Sequence, residues 1–174
     1  FYNNDLNWEP DTYSQVSGGI GAFVEFFGAI LGGVLADKFG RRKIFFLGWG
    51  GFSIISGLFG YSILAYEQIP YWIQLSYLII YPSLIAMGTV AMFSLTMALS
   101  WSKASATMFT SYMAISNLSV VFGSKLIGPL SEKFSTGDIY LYMMFVCLSP
   151  ALLLKYMNPE PIIKIKNKSN TINI

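Results

Sequence analysis

Residues 33–43 read Gly33-Val34-Leu35-Ala36-Asp37-Lys38-Phe39-Gly40-Arg41-Arg42-Lys43, and this stretch decides the fold. One carboxylate, a basic run and two glycines are packed into a short break. On either side lies an apolar segment of about twenty residues, the length a helix needs to cross a hydrocarbon core. A break of this kind is a charged turn between two membrane spans, and its Arg/Lys cluster marks the side of the membrane that it faces. Gly40 suits a tight turn. Asp37 is not explained by sidedness, because acidic residues contribute little to orientation.

Composition agrees. The chain has 174 residues, of which 54% are hydrophobic and 11% charged; soluble domains carry about 25% charged residues. That deficit reads as an integral membrane protein. Nucleic-acid binding has no support, since the basic residues form no long run outside the breaks and the tail. The sequence holds no His, so the commonest general base and metal ligand is absent. The single Cys147 permits no intrachain disulfide and no cysteine metal cluster, and reads as a small buried hydrophobe. Gly18-Gly19-Ile20-Gly21 opens a membrane helix rather than following a strand, so it is no dinucleotide site. No nucleophile elbow, metal-ligand spacing or phosphate loop is present. The reading is a non-enzyme without cofactor or metal.

Five segments qualify as spans: about Tyr13–Ala36, Ile44–Tyr66, Tyr71–Trp101, Ala106–Leu130 and Ile139–Met157. The first and third breaks and the tail carry Lys38, Arg41, Arg42, Lys43, Lys103, Lys164, Lys166 and Lys168, whereas the second and fourth breaks carry only Lys133. This bias puts the 33–43 turn and the C-terminus in the cytoplasm of a multi-pass protein of the cell or inner membrane. Residues 1–157 read as one bundle and 158–174 as a cytoplasmic tail. With no initiating Met and no signal-peptide layout, the chain reads as a piece whose upstream part is missing. Tyr13, Tyr71, Trp72 and Trp101 fall at span ends, where an aromatic belt belongs. Gly28 and Gly32, then Gly57, Gly60 and Gly88, read as close helix contacts. Pro82 is expected to kink the third span.

Charge inside the spans points to function. Glu25 sits about eleven residues into the first span, roughly 16 Å deep at 1.5 Å per residue. An acid near the midplane is costly and marks a pathway or proton site, against the alternative of a protonated structural Glu. Lys125 either snorkels to the outer interface or faces a cavity and attracts an anion. Asn117, with Ser111, Ser116, Ser119 and Ser124, polarises the fourth span and either lines a cavity or ties helices together.

The pattern Gly33-x-x-x-Asp37-Lys38-x-Gly40-Arg41-Arg42-Lys43 resembles the signature loop of the major facilitator superfamily of secondary transporters. The resemblance implies an all-α membrane protein: five transmembrane helices of a twelve-helix bundle, lacking the first helix of their half. It also implies the other half of the same transporter as partner, beside the bilayer and a small solute. Gly33, Asp37, Lys38, Gly40, Arg41 and Arg42 then form the gate loop, with Asp37 capping a helix N-terminus or pairing with an Arg. Met92–Leu99, Ser105–Thr110, Asn117-Leu118-Ser119 and Gly128-Pro129-Leu130 are similar to the tenth and eleventh helices of AmpG-like muropeptide permeases, a branch shared with acetyl-CoA transporters. The expected function is alternating-access transport, as a proton symporter, with Glu25 as proton or substrate contact and Asn117 and Lys125 as cavity residues. The contrasting expectation is a non-transporting membrane sensor or interaction protein on the same fold.

Overall fold

The computed structural model describes residues 1–3, 5–100 and 105–154. Lys103, the expected span ends at Trp101 and Met157, and the tail 158–174 lie outside them. The described residues form five long helices. Helix α1 covers Pro10–Phe39 and includes a π-helical turn at Gln15–Ile20. Helix α2 covers Arg41–Ala65, α3 Tyr71–Leu99, α4 Ser105–Lys133 and α5 Thr136–Leu154. Pro10 occupies the first helical turn of α1, where a missing N–H costs nothing because that group has no intrahelical acceptor.

The expected 37–43 loop shrinks to one residue. Asp37 and Lys38 belong to the last turn of α1, and Arg41–Lys43 to the first turn of α2. Gly40 alone is non-helical, at φ 97° and ψ 135°. Its N–H donates to Ala36 O at 3.0 Å, and its carbonyl accepts from Lys43 N at 3.1 Å. A side chain is strained at that φ, so only glycine closes two helices with a single residue. Gly40→Ala is expected to cost about 1–3 kcal/mol, read as a lowered melting temperature of the detergent-solubilised protein.

The helices run up and down. One end is a cluster of Ala36, Ile44, Phe45, Met87, Ala91 and Leu95, which joins α1, α2 and α3 beside the charged turn. The other end gathers Tyr2, Trp8, Val16, Phe59, Tyr77 and Leu78. Between them α3 packs along both α1 and α2, and α2 packs along α5. Without a hydrophobic drive between helices in lipid, close approach at small residues must hold such pairs. A Cβ built on Gly28 would lie 2.6 Å from Ser83 O, one on Gly32 2.7 Å from Met87 Cα, and one on Gly60 2.9 Å from Gly137 O. The glycine contacts expected from the sequence are therefore the helix seams themselves. Buried serines add bonds across the seams: Ser53 Oγ donates to Met144 O at 2.5 Å, and Ser56 Oγ lies 3.2 Å from Tyr77 Oη.

Large apolar side chains cover the outside. Phe23, Phe26, Phe27, Val34 and Leu58 are all exposed, a surface suited to lipid rather than water. Four helices are long and apolar enough to cross a membrane, over Pro10–Phe39, Arg41–Ala65, Tyr71–Ala98 and Ala106–Lys133. Helix α5 has 19 residues, and its described side chains stop at Pro150, short of the ~20 a span needs. Helix α4 stands apart. None of its most apolar window is buried, and it meets the bundle near its ends, through Phe93 against Phe109 and through the short turn to α5.

Candidate functional site

Three places in the fold carry chemistry. The first is the charged turn. Lys38 lies in the last turn of α1, where a cation suits the negative end of the helix dipole, and its Nζ sits 5.4 Å from the Phe39 ring centroid. Arg41, Arg42 and Lys43 do the opposite: they crowd the first turn of α2, whose exposed N–H groups already carry partial positive charge. Local helix electrostatics opposes that placement, so something outside the helix must favour it, and the membrane side is the general reason. Asp37 is exposed on the last turn of α1. The N-cap of α2 is Gly40, with no side-chain cap bond, so the expected capping of α2 by Asp37 is not made. Gly33 lies half-buried one turn earlier, with Val90 Cγ1 3.8 Å from the place of its Cβ.

The second place is a groove between α1 and α3. Glu25 stands midway along the 30 residues of α1, one turn after Gly21 and just before Gly28, on the flank of the seam with α3. The groove of about 380 Å³ is lined by Glu25, Ala22, Ala29, Ala86, Thr89 and Phe26, with Val90 beside them. Ala22 and Ala29 leave the room, and Thr89 supplies the neighbouring hydroxyl. A carboxylate at that depth in lipid is costly unless it binds a proton, a cation or a polar partner.

The third place is a cavity of about 910 Å³ at the end of the bundle remote from the charged turn. Tyr2, Tyr13, Tyr77, Tyr81 and Tyr140 line it, drawn from the N-terminal segment and three helices. The rings are ordered against one another. Phe59 stacks on Tyr77 at 4.2 Å, Tyr77 on Tyr81 at 5.1 Å, and Tyr140 meets Tyr77 edge-on at 5.7 Å. The N-terminal segment is tied in by Trp8, which is buried against Tyr71 and donates from Nε1 to Gln74 Oε1. Gln74 Nε2 donates in turn to Ile69 O at 2.7 Å. Burial, then the phenols of Tyr140 and Tyr77, push the Tyr2 hydroxyl above its ordinary range.

The remaining candidates lie elsewhere. Asn117 and Lys125 are exposed on α4 and line none of these three places. Helical geometry turns Lys125 about 160° away from Ile127, the α4 residue that faces the tyrosine cavity with Ser131. The serines of α4 bond to their own helix, Ser119 Oγ to Ser116 O at 2.6 Å and Ser124 Oγ to Val121 O at 3.0 Å. The interhelical bonds expected there are made by Ser53 and Ser56 instead. The tyrosine cavity went unread in the sequence, where Tyr13 and Tyr71 suited a belt. Its one local signal was Tyr77 and Tyr81, four apart on one helical face. Among the described residues no group of His, Cys, Asp and Glu could hold a metal ion.

Comparison with known proteins agrees with the charged turn and the helical layout. The profile of the Major Facilitator Superfamily matches residues 1–171. Comparisons with curated proteins and with solved structures gave no match. The chain belongs to the Major Facilitator Superfamily: it is a multi-pass membrane protein of a transporter family, not an enzyme.

Proposed function

We propose that this member of the superfamily is part of a proton-coupled transporter that moves a small solute by alternating access, with Glu25 as the proton-binding group. The observation that carries this reading is the Glu25 carboxylate, midway along a membrane helix and beside a groove. In such transporters binding occurs near the midplane, and one group of helices rocks against another around the site. The α1–α3 seam fits that role, because its two helices touch through glycines and present the acid on their flank. Helix α5 serves as the fifth span, and the 33–43 turn and the chain's C-terminus face the cytoplasm. Resemblance of residues 92–130 to the tenth and eleventh helices of AmpG-like permeases supports the C-terminal half of a two-half transporter. It also makes muropeptides the first solutes to test. Asn117 and Lys125 face the other half of the transporter on this reading, since among the described residues nothing buries the middle turns of α4.

The test is solute-driven proton movement. Full-length protein in liposomes containing a pH-sensitive dye should acidify the lumen when a transported solute is added outside, and protein-free liposomes should not. Solute uptake without any proton movement would remove the coupling. Absence of both across a broad solute panel would favour the sensor alternative.

Asp37, Arg41 and Arg42 act as the inner gate. An exposed acid beside a basic cluster can hold one conformation closed and release it in the other. Asp37→Ala is expected to slow solute turnover by roughly tenfold, within the range of a 1–3 kcal/mol conformational coupling. Membrane insertion and expression should be unchanged; loss of insertion would make the turn a folding element only.

A further inference from the structure

We propose that the tyrosine cavity binds an organic cation, a compact ammonium group carrying apolar substituents. The reading rests on the transporter assignment only in taking the cavity as a solute site, and it names the solute class that Glu25 leaves open.

Size comes first. At about 910 Å³ the cavity lies within the range of small-molecule sites. Its walls supply aromatic rings and hydrocarbon, from Tyr81, Tyr140, Phe52 and Leu78 among others. Aromatic faces carry negative quadrupole density and attract cations, most strongly where water is excluded. Charge decides the sign. Among the described lining residues, Asp5 is the one ionisable acid or base side chain apart from the phenols, and no Lys or Arg side chain contributes. An anion would therefore meet aromatic rings and the Asp5 carboxylate, with no Lys or Arg side chain among the described lining residues to pair it. Two of the phenols are already engaged, Tyr77 Oη with Ser56 Oγ at 3.2 Å and Tyr2 Oη, which donates to Gln74 O at 3.4 Å, while Asn3, Ser131 and Thr136 add polar groups to the lining. What the cavity offers in excess is aromatic surface, beside a single carboxylate.

The test uses choline and its neutral carbon analogue 3,3-dimethyl-1-butanol, titrated calorimetrically into the detergent-solubilised full-length protein. Choline should bind about tenfold more tightly, the ratio expected of one desolvated cation–π contact. Tyr81→Phe and Tyr140→Phe keep the ring face and should hold choline affinity within about twofold. Tyr81→Leu and Tyr140→Leu should each lose about tenfold. Asp5→Asn, at an exposed position of the N-terminal segment, should weaken choline but not the alcohol. Each variant is checked for an unchanged melting profile, and Asp5→Asn provides a reading independent of ring packing. Equal affinity for choline and the alcohol, tighter binding of a muropeptide than of choline, or Tyr→Leu variants that bind as wild type would each overturn the proposal. The assay needs no proton gradient, so its failure leaves the Glu25 reading standing. Failure of proton coupling likewise leaves the cation site to be judged on binding alone.

Discussion

Glu25→Gln is expected to abolish uphill transport while leaving the protein folded and able to equilibrate its solute. A pH gradient of one unit stores about 1.4 kcal/mol per proton, enough for about tenfold accumulation of a solute moved with one proton. Proteoliposomes with wild-type protein should approach that ratio. Those with Glu25→Gln should stop at equal concentrations inside and out, because the amide cannot take up or release a proton. The substitution is nearly isosteric, and Glu25 lines an open groove with alanines on both helices, so packing should tolerate it. Glu25→Asp restores the carboxylate on a shorter stem and should recover part of the accumulation. Accumulation by Glu25→Gln at the wild-type level, with the same pH dependence, would show that the proton is carried elsewhere.

The sequence made some of this legible, for physical reasons. Helical class and four of the five expected spans follow from hydrophobic length, which needs no tertiary information. The glycine seams were legible because lipid leaves close packing as a main source of helix association, so Gly28, Gly32, Gly57, Gly60 and Gly88 had few other uses. Glu25 stood out because charge in a span is rare. The charged turn was readable in content but not in extent. Nothing in Asp37 or Arg41 says that each already belongs to a helix; only the positive φ of Gly40 lets the loop contract to one residue. The tyrosine cavity was hidden because its rings come from residues 2, 13, 77, 81 and 140, and no local period links them. Helix α4 misled most. Its Ser residues look like interhelical glue, yet their bonds run back along the helix, because a serine in a helix can reach a carbonyl one turn earlier.

The second large effect concerns that seam. Gly28→Leu is expected to lower the melting temperature of the detergent-solubilised protein by roughly 5–10 °C, from about 1–3 kcal/mol of overpacking. The reason lies in what a Cβ would meet. It would fall 2.6 Å from Ser83 O and 2.7 Å from Ser83 Cα, and backbone atoms cannot rotate aside, so α1 and α3 must part. Gly50→Leu is the matched control. A Cβ there meets nothing within 4 Å, and leucine is the better helix former by roughly 0.5–1 kcal/mol, so the melting temperature should hold or rise. Equal losses at both positions would mean that the glycines matter for flexibility rather than for contact. The same experiment reaches function, because Glu25 lies less than one turn from Gly28, on the flank of the same seam. Parting α1 from α3 should open the Glu25 groove to water and leak protons without solute. Gly28→Leu liposomes should then dissipate an imposed pH gradient faster than wild type, whereas Gly50→Leu liposomes should not. A destabilised Gly28→Leu protein that remains proton-tight would separate the helix seam from the proton site and confine the glycines to folding.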